Sequence, residues 1–256
     1  MARLLLTIRY DGTRYHGWQV QQNALTVQEV LQDAVERVTG VRSGITGCSR
    51  TDAGVHALRF CCAMDTDSPL REDRMIRALN ACLPADIAVY ECREVPPDFH
   101  PRYMAQGKRY GYYIWNGMAR QPFYGRYALH RVGKLDEAGM NDTASLFLGT
   151  HDFSAFCASG SGVEDRVRTV RTAHVNRNGD GLCFHVEADG FLYNMVRIMV
   201  GSLLDVQAGR RQNAQIAEAL RTGNRSLAGF TAPAHGLFLE DVFYPEEVFA
   251  WQTNGI

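Results

Sequence analysis

Two hydrophobic periods alternate along this chain of 256 residues, and their order is what most restricts its fold. From Thr26 to Gly40, TVQEVLQDAVERVTG puts Val27, Val30, Leu31, Ala34, Val35 and Val38 on one stripe at i, i+3, i+4 spacing. Thr26 and Glu29 fit a capping box at its start and Gly40 fits its stop, so a helix is predicted there. Before it, RLLLTIRY (3–10) reads as a strand, and after it 57–65 reads as another. A helix over about 70–82 and a strand over 86–95 complete a strand–helix–strand–strand–helix–strand order. A second round follows. RYMAQGKRYGYYIWN reads as a long strand, 134–148 as a helix, 168–177 and 182–188 as strands. Then come helices at 193–206 and about 212–222 and a closing strand at 237–244 that Pro245 ends.

That order predicts an α+β fold. Two ferredoxin- or RRM-like halves are expected to share a central antiparallel sheet, with helices packed on it and an active-site cleft between the halves. Pro96, Pro97 and Pro101 crowd together at the expected boundary, giving an N-terminal domain over 1–100 and a C-terminal domain over 101–256. No apolar run approaches the length of a membrane span, and the opening MARLLLTIRYDG lacks a cleavage pattern, so neither a membrane anchor nor a signal peptide is expected. The seven cysteines are odd in number and show no paired spacing. They read as small buried groups in a reducing cytoplasm, and the scattered histidines indicate no metal site.

The net charge of −1 names no partner, but its distribution says more. Arg102, Lys108, Arg109, Arg120, Arg126, Arg131 and Lys134 occupy 101–134 without one Asp or Glu, beside Trp115, Phe123 and six of the eleven tyrosines. Cations for phosphates interleaved with rings for bases suit looped or single-stranded RNA. A Tyr-rich strand pair with a solvated basic face has the same composition.

Phosphate-binding and dinucleotide fingerprints are missing, and GCSRT departs from the nucleophile elbow because Thr51 stands where its last glycine belongs. What remains is GCSRTDAGVHA (47–57), with Asp52 between Arg50 and Gly54. A loop aspartate can close a turn or cap a helix. Kept ionised beside Arg50, it can also serve as nucleophile, base or electrostatic stabiliser.

GCSRTDAGVHA closely resembles the signature of the tRNA pseudouridine synthase A family. YDGTRYHGWQVQQNALTVQEVL, LNACLPADIAV, FHPRYMAQGKRYGYYIWN, HDFSAFCASGSG, DGFLYNMVRIMVGSLLDV and PAHGLFLEDVFYP resemble its other blocks, in family order over about 3–245. The resemblance implies two α+β domains around a continuous antiparallel sheet and a cytoplasmic homodimer. It implies isomerisation of uridine to pseudouridine at positions 38, 39 and 40 of the tRNA anticodon arm, with no cofactor and no metal. It puts the essential aspartate on Asp52 and substrate-binding groups on Arg50, Tyr110 and Arg197, all gathered in one cleft. Asp52 would attack C1′ or C6, or assist removal of the 2′ proton. Ser49, the ALRFCCAMDT segment and Asp189 depart from the family's usual residues. An RNA-binding or chaperone protein on the same scaffold is the competing reading.

Overall fold

A computed structural model describes residues 1–160 and 162–250. Ser161, in the HDFSAFCASGSG block, lies outside the described residues. The chain divides into two compact units, one made of Met1–Gln106 with the chain from Leu239 on, the other of Gly107–Phe238. The α+β class expected from the alternating periods is the class observed.

The first unit runs β1 (Ala2–Tyr10), α1 (Val27–Thr39), β2 (Ile45–Gly47), β3 (His56–Thr66), α2 (Glu72–Cys82) and β4 (Ile87–Val95). Strand β1 is central, antiparallel to β3 on one side and to β4 on the other, and β2 adds antiparallel to β3. Leu4 to Ile8 are buried without a break, as befits a strand covered on both faces. Helix α1 buries Val27, Leu31, Ala34 and Val35, most of the predicted stripe. Its start is held by Thr26 Oγ1, which accepts from the Glu29 N–H, and its end by Gly40 at φ 77°. Residues 48–55, the heart of the GCSRTDAGVHA motif, form the loop between β2 and β3.

The second unit contains β5 (Gly107–Trp115), β6 (Leu129–His130), α3 (Glu137–Ser145), β7 (Gly149–Asp152), β8 (Val167–Asn178), β9 (Gly181–Ala188), α4 (Met195–Gln207) and α5 (Asn213–Thr222). Its sheet runs β5–β9–β8–β7, each pair antiparallel, with the short β6 parallel to β5. Strand β9 alternates strictly, burying Leu182, Phe184, Val186 and Ala188 on one face, while α3 packs on its neighbour β8 and α4 on its neighbour β5. The final strand, β10 (Leu237–Phe243), takes its place beside β3, where Arg59 Nε lies 3.4 Å from Asp241 Oδ1, and α6 (Glu246–Ala250) follows.

Two predicted elements are shorter than their patterns. The strand predicted from Arg102 starts only at Gly107, because His100 and Pro101 fold the preceding residues into a turn. The Met104 N–H closes that turn on the His100 carbonyl at 3.0 Å. Helix α3 starts at Glu137 because Asp136 caps it, accepting from the Gly139 N–H at 2.8 Å. Among the described residues no helix is long and apolar enough to cross a membrane.

Candidate active site

Asp52 opens a β-turn in the β2–β3 loop. Its carbonyl accepts the Val55 N–H at 3.2 Å, and Gly54 takes φ 77°, the positive value a type II turn demands at its third position. Ala53, between them, is exposed, while Asp52 itself is half-buried. The carboxylate thus belongs to a tight turn with a hydrogen-bonded backbone rather than to an open loop.

The opening segment of the chain clamps that turn from one side. The Gly54 N–H donates to the Tyr15 carbonyl at 3.1 Å and the Trp18 N–H to the Thr51 carbonyl at 3.3 Å. Tyr10 Oη and Thr51 Oγ1 share a buried bond of 2.9 Å, one residue from Asp52. Two glycines let the backbones touch. A Cβ on Gly12 would sit 2.0 Å from the Val55 carbonyl oxygen, and one on Gly17, itself at φ 84°, would sit 2.1 Å from that of Thr51. The clamp is tied to β4 in turn. Tyr15 Oη donates to Asp86 Oδ1 and Arg14 Nε to Asp86 Oδ2, each at 2.7 Å. Burial, helped by the neighbouring Asp86 carboxylate, pushes the Tyr15 phenol up to about 12. It is therefore a neutral donor at any physiological pH.

This interlock makes a prediction. Gly17→Ala forces a side chain into both a left-handed backbone and the Thr51 carbonyl, at a cost of roughly 1–3 kcal/mol for the conformation alone. The expected result is a lower melting temperature together with a loss of turnover of at least about ten-fold. A variant with wild-type melting and turnover would show that the clamp does not hold the Asp52 turn.

Arg50 is exposed, and it lines a cleft with Ser49 on the first unit. The other predicted groups lie in the second unit and are described within it. Tyr110, on β5, is only 5% exposed and meets Phe191 edge to face, ring centroids 4.9 Å apart. Arg197 sits in the first turn of α4, half-buried. Its Nε donates to the Ala232 carbonyl at 2.7 Å and its Nη1 to Asn194 Oδ1 at 2.6 Å, so the guanidinium is oriented by two nitrogens at once. Asn194 can serve because it takes φ 61° ahead of the helix, a conformation asparagine tolerates better than most residues. The Ala232 N–H returns a bond to the Arg197 carbonyl at 3.0 Å, and Tyr112 Oη donates to the next carbonyl, that of Pro233, at 2.8 Å. Burial raises the Tyr112 phenol, and the Arg197 cation partly offsets that rise.

Sequence reasoning singled out neither Asn194 nor the Gly12–Gly17 clamp. An asparagine just before an apolar helix, and glycines at 12, 17 and 54 around one carboxylate, were the available signals.

The basic stretch of 101–134 divides by burial. Lys108 is buried, and Arg109 lies 3.7 Å from Glu187. Arg102, Arg120, Arg126 and Lys134 face solvent. Around Arg120 and Arg126 stand Met118, 91% exposed, Phe123, 85% exposed, and Tyr124, a composition suited to RNA. Reversing either arginine to glutamate is expected to weaken RNA binding and to flatten its salt dependence by roughly one phosphate contact. Filter binding across a salt series measures both, and an unchanged affinity and slope in the two variants would assign this loop to an ordinary solvated surface.

The cysteines are mostly internal. Cys48, Cys61, Cys62, Cys92 and Cys157 are buried, and burial raises the thiols of Cys61, Cys62 and Cys92, the last to about 12, which keeps them protonated and poor nucleophiles.

Residues 6–104 and 143–245 match the family described as tRNA pseudouridine synthase. The tRNA pseudouridine synthase A of Acetivibrio thermocellus is 46% identical over 244 residues, covering 95% of this chain and 100% of that protein. That of Shouchella clausii is 43% identical over 256 residues, covering 100% and 98%. Among solved structures, an archaeal box H/ACA sRNP Nop10-Cbf5 complex aligns with 91% of this chain and 46% of its own at 14% identity. Its TM-score is 0.36, too low to carry an argument.

Proposed function

We propose that this chain, which belongs to the tRNA pseudouridine synthase family, isomerises uridine to pseudouridine at positions 38, 39 and 40 of the tRNA anticodon stem-loop, with Asp52 as its essential carboxylate. The observation that carries the reading is the family match itself. It spans both units and runs unbroken through the Asp52 turn, in a chain of nearly the same length as its relatives.

The reaction breaks the N1–C1′ bond, turns the base, forms a C5–C1′ bond, loses the C5 hydrogen as a proton and leaves a proton on N1. No electrons are gained or lost. The target nucleotide must leave its stack to present C1′ and C6, so the enzyme needs a carboxylate at the ribose, a surface for the extruded base and cations for the backbone. In this reading Asp52 acts at C1′ or C6, or assists removal of the 2′ proton. Tyr110 offers a ring and a hydroxyl to the uracil, and Arg50 and Arg197 supply positive charge. A cytoplasmic homodimer that needs no cofactor follows from the same family reading.

The bond bookkeeping supplies the experiment. tRNA transcribed with tritium at uridine C5 must release one tritium to solvent per pseudouridine formed. Release that matches pseudouridine found in the digested RNA supports the assignment. Binding of the tRNA with no release would leave an RNA-binding or chaperone protein instead.

A further inference from the structure

The strand predicted to begin at Arg102 is replaced by a turn, and that turn is built as a platform. Phe99 is fully buried beneath it, edge to face with Tyr244 at 5.4 Å. Arg3 Nε donates to the Phe99 carbonyl at 2.6 Å, and Tyr244 Oη to the Pro101 carbonyl at 2.6 Å. His100 Nδ1 accepts the N–H groups of Arg102 at 3.1 Å and Tyr103 at 3.2 Å. In the neutral ring those two bonds leave the proton on Nε2, which is then a donor. The His100 ring stacks on Tyr103, centroids 4.1 Å apart and planes 29° apart, and the Arg102 guanidinium lies 5.8 Å from the Tyr103 centroid. Although so firmly seated, Tyr103 is 77% exposed.

His100, Arg102 and Tyr103 of this platform line a cleft of about 220 Å³ together with Ser49 and Arg50, the residues leading into the Asp52 turn. Trp18 and Gly47 line it too, packed so closely that a Cβ on Gly47 would come within 2.5 Å of the indole Nε1. The cleft is smaller than the roughly 300–1,000 Å³ typical of sites for drug-sized ligands. It combines an ordered, exposed aromatic face with two arginines and a histidine donor, the constellation that holds one unstacked base and its phosphate.

We propose that this cleft binds one nucleotide of the substrate RNA next to the target uridine, the base stacking on Tyr103 and the phosphate lying between Arg102 and Arg50. The proposal rests on the tRNA reading above and adds a subsite to it. Arg50 is two residues from Asp52, and two residues of extended chain span at most about 7 Å. The nucleotide held there is therefore a near neighbour of the uridine. Tyr103 sets the strength of this contact and Arg102 its charge. Neither takes part in the chemical step.

Fluorescence anisotropy with unmodified, end-labelled tRNA, run over a salt series, tests the assignment on the full chain. Tyr103→Ala should weaken binding by about ten-fold or more, because base–aromatic stacking is of that order. KM should rise in step while kcat stays near wild type. Tyr103→Phe, which keeps the ring, should bind within about two-fold of wild type. Arg102→Ala should reduce the slope of log K against log salt by about 0.7, one single-strand phosphate. Tyr103 is a surface residue, and melting curves confirm that each variant is folded. Wild-type affinity in Tyr103→Ala, or a wild-type slope in Arg102→Ala, overturns the subsite. If the wild-type protein binds tRNA but releases no tritium, the isomerase assignment fails, and the affinity series still decides the cleft. If it does not bind tRNA at all, both fall.

Discussion

Asp52→Asn is expected to abolish pseudouridine formation, lowering turnover by about 10³-fold or more, as loss of an essential catalytic carboxylate does. tRNA affinity should stay within a few-fold of wild type. The reason for expecting such a clean separation is the way the turn is held. Bonds from backbone groups of Thr51, Asp52, Gly54 and Val55 and from the Thr51 hydroxyl hold it, and the substitution leaves all of these in place. Asparagine preserves the volume of the side chain, removes its charge and nucleophilicity and turns one acceptor oxygen into an NH2 donor. The measurement is tritium release beside anisotropy and a melting curve. Wild-type turnover would remove Asp52 from the mechanism. Loss of fold and binding together with activity would mean that the carboxylate is a structural turn group.

Arg197→Ala should lower kcat/KM by about 10²-fold, the scale on which a part-buried charge-assisted contact at a site matters. Arg197→Lys should not restore it. The guanidinium engages Ala232 through Nε and Asn194 through Nη1, and a single ammonium cannot reproduce two donors with that fixed separation. The truncation also leaves the Ala232 carbonyl and Asn194 Oδ1 without these donors, so a lower melting temperature is expected as well. Steady-state kinetics of both variants decide the matter. Full activity in the lysine variant would reduce Arg197 to a generic positive charge, and full activity in the alanine variant would remove it from the site.

Much of the fold was legible because its signals are local. The α1 stripe, its Thr26 cap and its Gly40 stop all lie within fifteen residues, and the helix, its cap, its stop and four of the six stripe residues came out as predicted. Strands β1, β3, β4, β8 and β9 did so too, because continuous or alternating burial is written in their apolar patterns. Elements of few residues were not legible. β2, β6 and β7 are made by pairing with longer strands, and no period can develop over two to four residues. The turn at 99–104 was missed for a different reason. Its residues are as aromatic as a strand, but a histidine side chain takes the backbone N–H groups that a strand would spend on a neighbour. At the site, the motif pointed to Asp52 as a residue. That Gly12 and Gly17 press the opening segment onto its turn is a contact across some forty residues, and spacing alone does not encode it.

The central claim, a uridine isomerase acting on the tRNA anticodon arm, is tested most directly by mapping pseudouridine at single-nucleotide resolution. Unmodified tRNA transcripts would be incubated with the wild-type protein and, in parallel, with Asp52→Asn. The account predicts pseudouridine at positions 38, 39 and 40 wherever those nucleotides are uridine, and none with the variant. Pseudouridine confined to another arm of the tRNA, or its absence with a folded wild-type protein that binds the transcript, would contradict it.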